Sequence, residues 1–70
     1  MNMDNLSHLE LTSYDHSGRL SYTQVYLPGH EEKAEYDAQY MVDFGGCYKT
    51  ILKEVMVSGI TKVRLEVQKI

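Results

Sequence analysis

The stretch from Ala34 to Phe44 constrains the fold most, because at helical spacing it is apolar on two opposite sides. Ala34, Ala38, Met41 and Val42 recur at i, i+4, i+7 and i+8, which gathers them on one face. Tyr36, Tyr40 and Phe44 recur at i, i+4 and i+8 on the opposite side, with Lys33, Asp37 and Asp43 flanking them. A helix in a small domain buries one side. The two alanines let a backbone approach a sheet closely, which supports an outward aromatic side that serves as an interface. The sequence leaves open two other arrangements: the second helix folds back over the rings, or the rings are core and the alanine side is outside.

Before this helix, Leu6 to Tyr14 alternates, with Leu9 and Leu11 pointing one way and His8, Glu10, Thr12 and Tyr14 the other. Asp15-His16-Ser17-Gly18 reads as a turn, and Arg19 to Leu27 as a second strand rich in Tyr, Thr and Val. A loop of His16, Ser17 and Gly18 is a type I turn plus a glycine bulge. It sets Leu9 opposite Val25 and Leu11 opposite Thr23. Leu20, Tyr22, Gln24 and Tyr26 then join His8, Glu10, Thr12 and Tyr14 on the outer face. Pro28-Gly29 ends the strand, and His30-Glu31-Glu32 opens the helix, where acids suit its dipole.

Gly45-Gly46 breaks or kinks the helix near Phe44. Tyr48, Ile51, Leu52, Val55 and Met56 predict a second helix from Cys47 to Val57, with Gly59 as its C-terminal cap. Ile60 to Ile70 predicts a third strand, with Val63, Leu65 and Val67 facing the core and Lys62, Arg64, Glu66 and Gln68 facing away. The expectation is a single α+β domain over residues 1–70, in the order β-β-α-α-β, with one kinked helix or two on one face. Its antiparallel sheet has three strands in order 2-1-3, the last parallel to the second.

Chemistry is sparse. Cys47 is the only cysteine, so no intramolecular disulfide forms, which fits a reducing, cytoplasmic setting. Met1 to Asn5 is polar and no apolar run follows, so neither a signal peptide nor a membrane span is predicted. A net charge of −3 argues against direct nucleic-acid binding, which draws on Lys and Arg. Cys47 at a helix start lacks a base at any assignable spacing, and His8, His16 and His30 lack metal-ligand spacing. Asp43-Phe44-Gly45 matches a kinase magnesium tripeptide by letter only, and Gly45-Gly46 is too short for a phosphate loop. No catalytic residue, cofactor or metal is expected, and the chain is not expected to be an enzyme.

Binding is what remains. Tyr36, Asp37, Tyr40, Asp43, Phe44 and Lys33 form the candidate partner-binding set. Five helical acids, Glu31, Glu32, Glu35, Asp37 and Asp43, stand against Lys33 alone, which suits a basic and even a nucleic-acid-binding target. Tyr14, Tyr22 and Tyr26 on the outer sheet face are candidates for self-association as a homodimer. The competing use of that face is a nucleic-acid platform, with Tyr22, Tyr26, Lys62 and Arg64 carrying it, or a purely structural dimer.

Three short pieces stand out: Gly18-Arg19 opening a Tyr-rich second strand, Glu35-Tyr36-Asp37-Ala38-Gln39-Tyr40, and Ile60 to Glu66. They resemble small phage-encoded inhibitors, a class that includes anti-CRISPR proteins, and among them the phage inhibitors of uracil-DNA glycosylase, whose acid-aromatic-acid helix and last strand are similar to the second and third pieces. Phe44 to Gly59 has no counterpart there. The resemblance implies a dimeric inhibitor of a host enzyme, acting in the host cytoplasm, with Tyr36, Asp37 and Tyr40 at the contact.

Overall fold

The computed structural model describes residues 4–70, so the first three residues of the polar opening lie outside the described part. β1 (Leu6–Tyr14) and β2 (Leu20–Tyr26) form one hairpin, α1 (Glu31–Asp43) follows, and β3 (Lys49–Met56) and β4 (Thr61–Gln68) form a second hairpin. The strands make one antiparallel sheet in the order β2-β1-β3-β4, with α1 packed on the β1, β3 and β4 side of one face. The α+β class, the antiparallel sheet and the helical layer on one face match the sequence expectation. Among the described residues the sheet has four strands rather than three, and there is one helix.

The predicted second helix is β3. Its apolar residues mimic a helical stripe because β3 is a central strand, apolar on both sides. Leu52 points under α1 and is fully buried, while Ile51 and Val55 pair with Thr12 and His8 on the other face. Gly59 therefore caps no helix. It sits at φ +95° as the last residue of the loop Val57-Ser58-Gly59, closed by Met56 N–H donating to Ile60 C=O at 2.8 Å. The inserted β3 also corrects the sheet order: the C-terminal strand pairs with β3, not β1, and runs antiparallel to β2.

The first loop is the predicted one. Asp15 N–H donates to Arg19 C=O at 2.9 Å, Gly18 N–H donates to Asp15 C=O at 3.0 Å, and Gly18 takes φ +86°. The register beyond it is not. Tyr14 lies opposite Leu20, yet Ser13 lies opposite Tyr22, so Ser21 is an extra residue in β2. That bulge moves every later pair by one and exchanges the faces of β2: Leu9 meets Tyr26, Leu11 meets Gln24, and Val25 turns outward beside Glu10. β4 carries a matching irregularity. Lys53 pairs with Val63 and Leu52 with Leu65, which leaves Arg64 as the extra residue. Val63, predicted for the core, is thereby exposed on the outer face.

Between sheet and helix, Leu9, Leu11, Leu52, Val67 and Tyr26 meet Ala34, Ala38 and Val42. Close approach at Ala38 lets the buried Thr50 hydroxyl donate to its carbonyl at 2.9 Å, and the buried Ser13 hydroxyl donates to Tyr22 C=O at 3.2 Å. Arg64, turned by its bulge toward the helix side, reaches Glu35 with Nε and Glu54 with Nη1, each at 2.6 Å. One guanidinium thus ties α1 to β3 and β4.

Candidate binding surface

The burial of Ala34, Ala38 and Val42 settles which side of α1 faces out. Tyr36, Tyr40 and Phe44 keep 66%, 49% and 76% of their surface exposed. They stand one turn apart and touch each other: the Tyr36 and Tyr40 rings are stacked at 6.0 Å between centroids, and Tyr40 meets Phe44 at 5.2 Å. A ladder of rings on a rigid helix loses less rotamer freedom on binding than isolated side chains would.

The ladder stops where the backbone stops it. Phe44 N–H donates to Tyr40 C=O at 2.8 Å, and Gly45 packs so tightly that a Cβ there would lie 2.8 Å from the Met41 carbonyl oxygen. Gly46, at φ +79°, then turns the chain toward β3. Beside this end, an open depression of about 430 Å³ is lined by Gln39, Val42, Asp43, Gln68, Lys69 and Ile70. The Lys69 ammonium donates to Val42 C=O there at 3.3 Å, so that cation serves the helix terminus.

The acids around the ladder divide by engagement. Asp37 accepts from the Tyr26 hydroxyl at 2.7 Å and from Lys33 Nζ at 3.3 Å. Burial of the Tyr26 ring, then its hydrogen bond to Asp37 and that residue's charge, hold the phenol proton more tightly than usual. Glu35 is occupied by Arg64. Glu31 lies below the usual carboxylate range because the backbone N–H groups of Glu31 itself and Gly29 at the helix start favour its charged form. Glu32 and Asp43 are exposed, and Asp43 accepts only from the Gln39 amide, at 3.1 Å. Of the predicted partner-binding set, Tyr36, Tyr40, Phe44, Lys33 and Asp43 share the outward surface. Asp37 sits half-buried at its edge as a structural bond.

The predicted tyrosine cluster does not assemble on the far face of the sheet. Tyr14 lies there, with Lys49 Nζ 5.2 Å from its ring centroid. The β2 bulge puts Tyr22 and Tyr26 on the helix side, where Tyr22 donates to Gln24 at 2.7 Å. Arg64 and Lys62 are also on the helix side, Lys62 opposite Glu54. The far face instead consists of rows running across the strands: Val25, Glu10, Lys53 and Val63, then Thr23, Thr12, Ile51 and Glu66. The next row is Leu20, Tyr14, Lys49 and Gln68. No helix covers these rows. Sequence periodicity missed Lys49, Ile51 and Lys53 as sheet residues because it placed them on a helix. The Ser-Gly pair at 58–59, a copy of the one at 17–18, is the hairpin signal that reveals them.

Among the described residues, no group of three or more His, Cys, Asp or Glu could hold a metal ion, and no helix is long and apolar enough to cross a membrane. Comparison with family models, with curated proteins and with solved structures finds no match to this chain.

Proposed function

We propose that this chain is a small protein-binding inhibitor module that occludes a surface of a host enzyme or complex with the outer side of α1. The observation that carries the proposal is the exposed ladder of Tyr36, Tyr40 and Phe44, backed by alanines that hold the helix against the sheet. Aromatic anchors of this kind dominate interface energetics, and buried elsewhere they would simply be core. The exposed acids Glu32 and Asp43 beside the ladder favour a basic target site, and a groove that normally holds nucleic acid has that charge. The resemblance to phage inhibitors of uracil-DNA glycosylase supports a phage-encoded inhibitor and makes that enzyme the first target to assay. The use of the sheet as a nucleic-acid platform has less support, because Tyr22, Tyr26, Lys62 and Arg64 lie on the helix side of the sheet, where Tyr26 is buried and Arg64 is held by Glu35 and Glu54.

Titration of purified bacterial uracil-DNA glycosylase, together with affinity capture from host lysate, tests the reading. Both are run with the native chain and with a Tyr36→Ala/Tyr40→Ala variant. The expected result is inhibition or capture of a basic protein by the native chain alone, with both chains equally folded. A captured partner that binds the doubly truncated chain as well as the native one overturns the assignment to α1.

A further inference from the structure

We propose that the uncovered face of the sheet binds a second copy of this chain, face to face, about a two-fold axis running along the seam between β1 and β3. Such an axis preserves height along the strands and exchanges left for right, so each row of the sheet meets its own reverse. In the row Val25, Glu10, Lys53, Val63, the exchange sets Glu10 against the second copy's Lys53 and Lys53 against its Glu10. Val25 and Val63, 58% and 61% exposed, then face one another at the two ends of the row. One row away Ile51 meets the second copy over Thr12, which is only 7% exposed within its own chain, and in the next Tyr14 meets Lys49, a pairing already made within one chain as ammonium over ring. Aligned sheets pack about 30° apart, a rotation that keeps the central rows in register.

Charge selects the occupant. In these three rows Glu10 and Glu66 balance Lys49 and Lys53. The two symmetry-related Glu10–Lys53 contacts attract a second copy, with His8 Nε2 3.1 Å from Glu10 in its own chain. Glu66 meets Thr23, Lys49 meets Tyr14, and no like charges are opposed. The outer side of α1, acidic on balance, cannot be shared with a copy in this way. Size sets the strength. Four strands about 4.8 Å apart and three rows deep give a footprint on the order of 300 to 400 Å². That is well under the roughly 800 Å² per partner of a standard interface, so the dimer is weak and concentration-dependent.

Sedimentation of the whole chain between about 10 and 500 µM, the range a small interface calls for, reads the proposal directly. The mass is expected to rise toward twice 8.1 kDa. Glu10→Lys and Lys53→Glu should each weaken association by about tenfold or more through like-charge contact. A mixture of the two variants should associate again, because the lysine introduced in one chain meets the glutamate introduced in the other. The mixture does not repair the neighbouring Glu10 and Lys53 positions within either chain, so recovery reports the interface and not the fold. If either variant fails to fold, Val25→Lys mixed with Val63→Glu asks the same question at the ends of the row. A native chain that stays monomeric throughout, a dimer indifferent to the single substitutions, or folded variants that do not associate when mixed would each overturn the proposal.

Discussion

The outer side of α1 and the open side of the sheet are both uncovered, yet they are built in opposite ways. The helix presents three touching rings in one line with acids around them. The sheet presents mixed rows in which β-branched residues stand among two acids, Glu10 and Glu66, and two bases, Lys49 and Lys53. A surface of one charge sign cannot pair with itself, whereas a balanced one can. The two proposals therefore fall on separate surfaces, the helix for a foreign, basic partner and the sheet for a second copy. A single core, with eight buried apolar residues among those described, supports both.

That shared core gives the largest expected effect. Leu52 is fully buried under α1, with Ile51 and Lys53 of the open face on either side of it in the chain. Leu52→Ala should cost about 2 to 5 kcal/mol, the range for truncating a buried leucine, which is a large part of what a domain this small has. Urea unfolding should show the loss, and both binding activities should disappear together. If one survived without the other, the two surfaces would not share a cooperative unit.

The second test separates them. Tyr36→Ala and Tyr40→Ala should each cost partner binding about 2 kcal/mol or more, as hot-spot truncations do. Stability should change by no more than about 0.5 kcal/mol, since the rings fill no core. Self-association on the sheet should be unchanged. Loss of the dimer in these variants would move the self-contact from the sheet to the helix.

Legibility in the sequence tracks how local the determining interaction is. The two-sided pattern of α1, its start at His30 and Glu31, and the three-residue loop at 16–18 all follow from residues within one or two turns of each other, and all are where the sequence puts them. The bulges at Ser21 and Arg64 depend on how whole strands pair, and no period in the sequence marks them. Each exchanges the faces of an edge strand, which is why Tyr26 is core and Val63 is not. β3 fails for a related reason. Helical and strand periods give similar apolar counts over eight residues when both sides of the strand are apolar. Among the candidate site residues, the helical rings, whose exposure the sequence leaves open, face outward, while Tyr22 and Tyr26 on β2 leave the face that the sequence gives them.

A smaller effect lies where the two regions meet. Tyr26 belongs to the sheet and donates to Asp37 on α1. Tyr26→Phe should cost about 1.5 to 3 kcal/mol, the value of a hydrogen bond to a charged group. Because the folded phenol holds its proton more tightly than the unfolded one, its contribution is complete below the unfolded value of about 10 and is lost as pH rises through the folded value. Thermal melts should therefore fall above about pH 10 in the native chain and less so in Tyr26→Phe. Equal alkaline loss in both would assign that loss to other groups. Asp37→Asn should also lower the melting temperature, which makes Asp37 a poor probe of partner charge.

Asp43 is the better probe, and its effect is the smallest and most specific. It lies in the last turn of α1, where the helix dipole disfavours an acid and where no basic side chain of the helix offsets it. Its exposed carboxylate accepts only the Gln39 amide, a bond that an asparagine oxygen can keep. Folding thus gains nothing from this charge, while its position beside Tyr40 and Phe44 places it within reach of whatever the ladder binds. Asp43→Asn should raise stability by roughly 0.3 to 1 kcal/mol through the dipole and weaken a basic partner by less than about tenfold at low salt. In about 1 M salt, where charges are screened beyond roughly 3 Å, the binding difference should close. The dimer on the far face should be indifferent. A variant that is both less stable and unchanged in partner binding would mean that the acid serves the helix end, and would remove charge from the account of what α1 recognises.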